Sequence, residues 1–245
     1  MKHEKQNQIK GILCDIDGVI FDTEVFQYFA SAMMLNKFLG EKFDPELMDD
    51  KGLILTKEDY KEHYVGNSTK LIAKNLILKY NIGSTPEEMV EYRTKVIHNL
   101  FDLYPVKMIQ GAKEPITQMI LNKEYSFALA TGGTTTETKK KFEKSGILYL
   151  LEENNIPTIG FDTKNVKNSK PAPDTYLVAA KSINLAPENC LSIEDTIPGV
   201  KSALSAGVLK ENNYAVPNWW TEKKDFSIAT RVNSLQDITR RLYEK

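Results

Sequence analysis

Cysteine is scarce in this chain. Only Cys14 and Cys190 occur among its 245 residues, each inside a short apolar run. Two such thiols make no disulfide scaffold. They read as small buried hydrophobes, and a reducing cytoplasm is the simplest setting for them. Net charge is scarce too. The formal value is −1, which gives no reason to expect nucleic acid or an anionic membrane as partner. No apolar run approaches the ~18 residues of a membrane span. The polar residues 1–10 hold no signal-peptide core. There is no internal repeat and no low-complexity segment. Histidine is rare, and His63 and His98 fall in helical stretches, where a lone histidine is more often structural or solvated than catalytic. The remaining composition is that of a globular chain, and its length suits one large domain or a core with a smaller second one.

The stretch that organises the chain is residues 11–24. Ile12, Leu13 and Cys14 form a continuous apolar run, followed by Asp15, Asp17 and then Gly18. Such a run ended by a glycine turn reads as a buried parallel strand. Ligands in open α/β sheets sit at the carboxyl ends of such strands. Two aspartates crowded there repel each other and call for a cation. A hard ion such as Mg²⁺ accepts carboxylate oxygens and keeps positions for phosphate. One aspartate can attack as nucleophile while the other shuttles a proton, if their environments separate their acidities. The bland alternative is a pair of solvated turn aspartates.

Residues 24–39 carry Val25, Phe26, Phe29, Met33 and Phe38 at helical spacing, with Gly40 as a stop and Asp22 or Thr23 as cap. Residues 56–64 read as a short helix and 69–80 as another. Thr85-Pro86-Glu87-Glu88 then supplies a cap, a first-turn proline and a capping-box glutamate. Residues 24–104 thus read as helices without a strand, inserted after the first strand. The expected division is a core of residues 1–23 and 105–245 and a helical domain of residues 24–104.

Strand and helix alternate after that. Residues 111–122 read as a helix and 125–130 as a strand, ending in Thr131-Gly132-Gly133 before a polar helix over 134–145. A hydroxyl, a glycine turn and a helix N-terminus together make an anion site, or else an ordinary strand–turn–helix connection. Lys139-Lys140-Lys141 is read as the solvated face of that helix. Residues 147–151 read as strand or helix, and 157–161 as a strand. Lys170 precedes Pro171 in Lys-Pro-Ala-Pro-Asp174, so it takes extended backbone on a loop. Fixed beside the aspartates, its ammonium would neutralise phosphate and nucleophile; the alternative is a loop lysine in water. Cys190 to Ile193 is a further strand, ending in Glu194 and Asp195, acids able to complete an Mg²⁺ oxygen shell. Glu194 is either a ligand or a second-layer acceptor. Tyr214 to Pro217 reads as a strand, and residues 234–243 as a terminal amphipathic helix.

Taken in order, Asp15-Ile-Asp17-Gly18-Val19-Ile20, Thr131-Gly132, Lys170-Pro171 and Glu194-Asp195 resemble the four motifs of the haloacid dehalogenase superfamily, in its phosphohydrolase branch. The resemblance spans almost the whole chain. It implies an α/β fold: a doubly wound, Rossmann-like parallel-sheet core with an inserted all-helical cap domain. It also implies roles. Asp15 is the nucleophile and Asp17 the general acid/base. Asp15, the Asp17 carbonyl and Asp195, with Glu194, hold Mg²⁺, and Thr131, Gly132 and Lys170 bind phosphate. Thr23, Gln27 and Ser68 are candidate substrate contacts on the cap.

Within the superfamily the chain is similar to the β-phosphoglucomutase and phosphoglycolate-phosphatase-like subgroup. Two departures count against a mutase. The mutase has a cap histidine twelve residues after its nucleophile, where this chain has Gln27. The mutase's cap arginine is matched by Thr69, after Gly66-Asn67-Ser68. A dehalogenase is disfavoured because that chemistry dispenses with Asp17 as acid and with metal. The expected activity is Mg²⁺-dependent hydrolysis of a small phosphomonoester, a sugar phosphate or a phosphoglycolate-like metabolite, through an aspartyl-phosphate. The alternatives are a phosphomutase and a catalytically silent phospho-ligand-binding protein. Monomer and dimer are both compatible with the sequence.

Overall fold

A computed structural model describes residues 9–244. Most of the polar N-terminal stretch lies outside the described residues. The chain opens with strand β1 (Gly11–Cys14), followed by helices α1 (Glu24–Leu39), α2 (Lys57–His63), α3 (Thr69–Tyr80) and α4 (Pro86–Leu103). Then come α5 (Lys113–Leu121), β2 (Ser126–Ala130), α6 (Thr135–Lys144), α7 (Leu148–Glu153), β3 (Thr158–Ile159) and α8 (Asp174–Ser182). The last part is β4 (Cys190–Glu194), α9 (Ile197–Ala206), β5 (Asn213–Ala215), β6 (Thr230–Arg231) and α10 (Leu235–Tyr243).

The six strands form one sheet in the order β3-β2-β1-β4-β5-β6, and each neighbouring pair is parallel. This is the expected doubly wound α/β core. Strand order reverses beside β1, between β2 and β4, and that switch point opens a crevice at the strands' carboxyl ends. The register sets the ends level, with Cys14 opposite Leu129 on one side and Ile193 on the other. β1 stops at Cys14 because Gly18, at φ 81°, turns the chain, and its N–H donates to Phe21 O at 2.8 Å. Alternation puts Leu13 on one face of β1 and Ile12 and Cys14 on the other. Leu13 joins Ala128, Tyr176, Ala179 and Ala180 in a buried cluster. The small alanines let α8 lie close on β1, β2 and β3.

The chain divides into two compact units, one of Met1–Asp22 with Lys107–Lys245 and one of Thr23–Val106. The second unit contains only helices among its described elements. α1 packs on α4, and α4 on α3, around buried Phe26, Phe29, Met33, Ile72, Leu76, Met89 and Leu100. Thr85 and Glu88 form the expected capping box on α4. Buried in this unit are also charges the apolar spacing does not show. Arg93 donates to Ser31 Oγ, Thr69 Oγ1 and the Gln27 amide oxygen, and Tyr60 donates to Glu24 Oε1.

The structure resolves and corrects several local readings. Residues 147–151, open between strand and helix, are helical in α7. Thr23 takes the N-cap position of α1 but its side chain makes no capping bond; it is fully buried. Two-residue β6 is too short to leave a periodic signal. Leu13 is completely buried on the central strand, so Leu13→Ala should cost about 3 kcal/mol of stability. Urea unfolding checks this, through a lower midpoint at unchanged slope.

Candidate active site

Five loops leaving the sheet bring the site together. Asp15 and Asp17 follow β1, Thr131 follows β2, Lys170 comes from the loop between β3 and α8, Glu194 and Asp195 end β4, and Asn218 follows β5. Each loop is fixed locally. Asp174 Oδ1 accepts the backbone N–H groups of Lys167 at 2.9 Å and Asn168 at 3.1 Å. Those bonds hold its carboxyl below the usual range and brace the loop that carries Lys170. Ser202 Oγ donates to Ala172 O from the α9 side. Thr134 and Glu137 form a capping box at the start of α6, beside the Gly132-Gly133 turn.

Lys170 is the hub. Its Nζ donates to Asp15 Oδ1 at 2.9 Å, Ala130 O at 3.0 Å and Glu194 Oε1 at 2.6 Å. An ammonium has three hydrogens, and these three acceptors lie at or just past the ends of β1, β2 and β4. Burial opposes its charge, yet the Asp15 and Glu194 carboxylates hold its acidity well below that of an ordinary lysine. Tyr176 OH also donates to Glu194 Oε1, at 2.6 Å. Burial and the Glu194 charge push that phenol far up. Glu194 Oε2 accepts from Thr196 Oγ1 at 3.3 Å. Gly199 makes the arrangement possible, because a Cβ there would lie 1.9 Å from Glu194 Oε2.

Asp15, Glu194 and Asp195 are buried, and an oxygen from each lies within 4.8 Å of the others. One ammonium faces three carboxylates. The imbalance shows in Asp15, whose pKa is raised to about 7 by burial and by Glu194, against the pull of Lys170. An all-oxygen, net-negative cluster at this spacing fits a hard divalent cation. Gly18 leaves the approach open: a Cβ on it would meet Asp195 Oδ2 at 1.8 Å. Asn218 Nδ2 donates to Asp195 Oδ2 at 2.8 Å and to Gly18 O at 3.0 Å, fixing that acid against the turn.

Asp17 is half-buried beside this cluster. Its Oδ2 accepts from Thr131 Oγ1 at 3.0 Å, and its Oδ1 is paired with the Lys141 ammonium. Thr131 Oγ1 in turn accepts the Gly133 N–H at 2.9 Å. The reading of Lys141 as a solvated lysine is therefore corrected: its side chain is 4% exposed. The reason is helical phase. Thr138, Lys141 and Phe142 share the buried face of α6, while Lys139 and Lys140 lie outside. That phase was available from the spacing of Thr138, Lys141 and Phe142, but the three-lysine run hid it. Asn218 and the Tyr176 hydroxyl also escaped notice, and Asn218 had no sequence signal.

The structure thus gathers Asp15, Asp17, Thr131, Lys170, Glu194 and Asp195, with Gly132 exposed on the turn next to Thr131. Thr23, Gln27 and Ser68 belong to the helical unit. There Gln27 Oε1 is engaged by Arg93, and Ser68 Oγ caps α3 by accepting Leu71 N–H.

A family model described as haloacid dehalogenase-like hydrolase matches residues 9–207. The chain belongs to that family. This haloacid dehalogenase-like hydrolase is 27% identical over 213 residues to a Drosophila melanogaster protein named "Probable pseudouridine-5'-phosphatase", covering 85% of this chain and 83% of that one. It is 24% identical to the phosphorylated carbohydrates phosphatase of Thermotoga maritima, covering 82% of each. In structure it is similar to CbbY from Rhodobacter sphaeroides, solved in complex with phosphate, with a TM-score of 0.71 at 19% identity over 94% of this chain and 96% of that one. No described helix of the hydrolase is long and apolar enough to cross a membrane.

The Asp15 shift has a sign that can be tested. Its folded value, about 7, exceeds the ordinary 3.8, so between those values the fold holds a proton the unfolded chain has released. Stability contributed there is present at low pH and lost as pH rises. With chelator present, wild-type stability should fall from about pH 4 to about pH 7 more steeply than that of Asp15→Asn. A divalent cation should raise the melting temperature more at the higher pH, because it binds the ionised acids. Melting curves of both proteins across pH, with chelator and with cation, check both statements.

Proposed function

We propose that this hydrolase is an Mg²⁺-dependent phosphatase acting on a small phosphomonoester, a sugar phosphate or phosphoglycolate-like metabolite, through an aspartyl-phosphate. The observation that carries the reading is the pairing of environments at the end of β1. Asp15 sits among buried acids against Lys170, while Asp17, two residues on, is held apart by Thr131 and Lys141. Two carboxylates placed in different surroundings suit one nucleophile and one proton carrier.

In this mechanism Asp15 attacks phosphorus as the bond from phosphorus to the ester oxygen breaks. Asp17 enters this step protonated on Oδ2, the oxygen Thr131 leaves when its hydroxyl turns to the phosphoryl group, and gives that proton to the departing alcohol. Water then attacks the aspartyl-phosphate and yields a proton to Asp17, which regenerates the Asp15 carboxylate and releases phosphate. Asp15, the Asp17 carbonyl and Asp195 would hold Mg²⁺, with Glu194 beside them. When bound, the ion supplies positive charge to the phosphoryl oxygens and keeps Asp15 ionised. Thr131 Oγ1 and the Gly132 amide receive the phosphoryl oxygens at the start of α6. Lys170 contributes mainly its charge, since its three hydrogens are already directed at protein acceptors.

By the family resemblance the helical unit would be the cap, whose closure would exclude water in the first step and help select the substrate. Gln27 and Ser68 are its candidate contacts, with Thr23 at the junction. With Oε1 taken by Arg93, Gln27 presents amide hydrogens only, which suits an acceptor on a substrate and not the proton relay of a mutase. The relatives' names point to phosphorylated carbohydrates and nucleosides as the substrate range. A cytoplasmic location fits the two buried thiols.

Phosphate release should be measured over sugar phosphates, phosphoglycolate and nucleotides, with and without Mg²⁺. Wild type should turn over at least one ester only with the ion. Asp15→Asn should release none, and Asp17→Asn should fall by about 10²–10⁴-fold. Conversion between isomers with no net phosphate release would replace the hydrolase reading with the mutase one. Binding without turnover would favour the silent phospho-ligand-binding protein.

A further inference from the structure

We infer that Lys141 is a positioning residue: it anchors Asp17 for proton transfer once the substrate phosphoryl group has taken the hydroxyl of Thr131. The inference rests on the hydrolase reading above and adds a residue to it.

The argument starts from donor counting. Thr131 Oγ1 carries a single hydrogen, and here that hydrogen goes to Asp17 Oδ2. The oxygen itself accepts the Gly133 N–H. A phosphoryl oxygen that accepts the Thr131 hydrogen therefore removes the bond from Thr131 to Asp17. The carboxylate then needs another restraint to keep its direction toward the leaving oxygen. The Lys141 ammonium on Oδ1 is that restraint. It engages the other carboxylate oxygen, so phosphate does not compete for it directly.

Lys141 is also built to stay. Its side chain is 4% exposed, on a helical face it shares with fully buried Phe142 and nearly buried Thr138. Phe142 packs edge-on against Phe21, with centroids 5.1 Å apart, which ties α6 to the chain just after the Asp17 turn. Burying a lysine is costly unless it is paired, and the ion pair offsets that cost here. A solvent-exposed lysine would lose side-chain entropy to do the same work.

The test separates proton delivery from phosphate binding. Departure of an alkyl alcohol needs a proton from Asp17, whereas p-nitrophenolate leaves without one. The value of kcat/KM covers steps through loss of the leaving group, so it isolates that difference. Lys141→Met should lower kcat/KM for an alkyl phosphate substrate by about 10²-fold, and for p-nitrophenyl phosphate by no more than about threefold. In an Asp17→Asn background the same substitution should change kcat/KM for the alkyl ester by no more than about threefold, because the group it positions no longer carries a proton. Far-UV circular dichroism and melting curves establish that each variant folds. If Lys141→Met does not fold, Lys141→Gln, which keeps a polar end, carries the same comparison.

Equal losses on the two esters would overturn the inference and make Lys141 a general electrostatic or structural residue. An undiminished loss in the Asp17→Asn background would overturn it as well. Either result leaves the hydrolase reading standing, provided wild type turns over and Asp15→Asn does not. A wild type inactive on both esters and on the wider substrate panel would reject the hydrolase reading, and this inference with it.

Discussion

The rest of the site depends on one ammonium group. Lys170 Nζ reaches acceptors at or beyond the ends of three adjacent strands, Asp15 beside β1, Ala130 at the end of β2 and Glu194 at the end of β4. A parallel sheet leaves its terminal carbonyls and the acids beyond them without ladder partners. Here a single side chain from a distant loop satisfies one of those carbonyls and two of those acids. The same contact brings the nucleophile candidate and the acids that could hold a metal within reach of each other without mutual repulsion expelling one of them. Its charge is insufficient for all three carboxylates, and that deficit is what makes a divalent ion chemically appropriate. In the proposed reaction, binding the ion and binding phosphate would act in the same direction, each offsetting charge the other brings.

Much of this was legible before any coordinates. Strand tips announce themselves as apolar runs that stop at acids, hydroxyls or glycine, and Ile12 to Asp17, Phe127 to Gly132 and Leu191 to Asp195 all do so. The start of α4 is equally plain, since Thr85 with Glu88 places it within a residue. What failed did so for identifiable reasons. Lys141 was hidden by two exposed lysines of the same type, so composition overruled helical phase. The Tyr176 ring lies in the core, and nothing in the spacing shows that its hydroxyl reaches Glu194. Asn218 lies three residues past the end of β5, and no local pattern reports where such a loop returns.

The helical unit shows the same divide between apolar and polar information. Its apolar spacing and caps predicted four helices. They did not predict Arg93, which lies on the buried side of α4 and joins α1, through Ser31 and Gln27, to Thr69 of α3. A guanidinium with five donors suits that position better than any apolar residue, since it satisfies side-chain acceptors on two other helices at once. The amide of Gln27 is thereby oriented as firmly as a backbone group.

The brace under the β3–α8 loop has one more consequence. Asp174 secures the backbone at Lys167 and Asn168, and Ser202 secures it at Ala172, so the span that carries Lys170 is clamped on both sides. Exposed Ser169 can vary in identity, because only its backbone path is used, whereas the Asn168 amide also donates to Asp174 Oδ1 at 3.4 Å. Their number cannot change. An inserted or deleted residue would swing the ammonium off three targets together, so this part of the chain can drift in composition over evolutionary time while its length stays frozen.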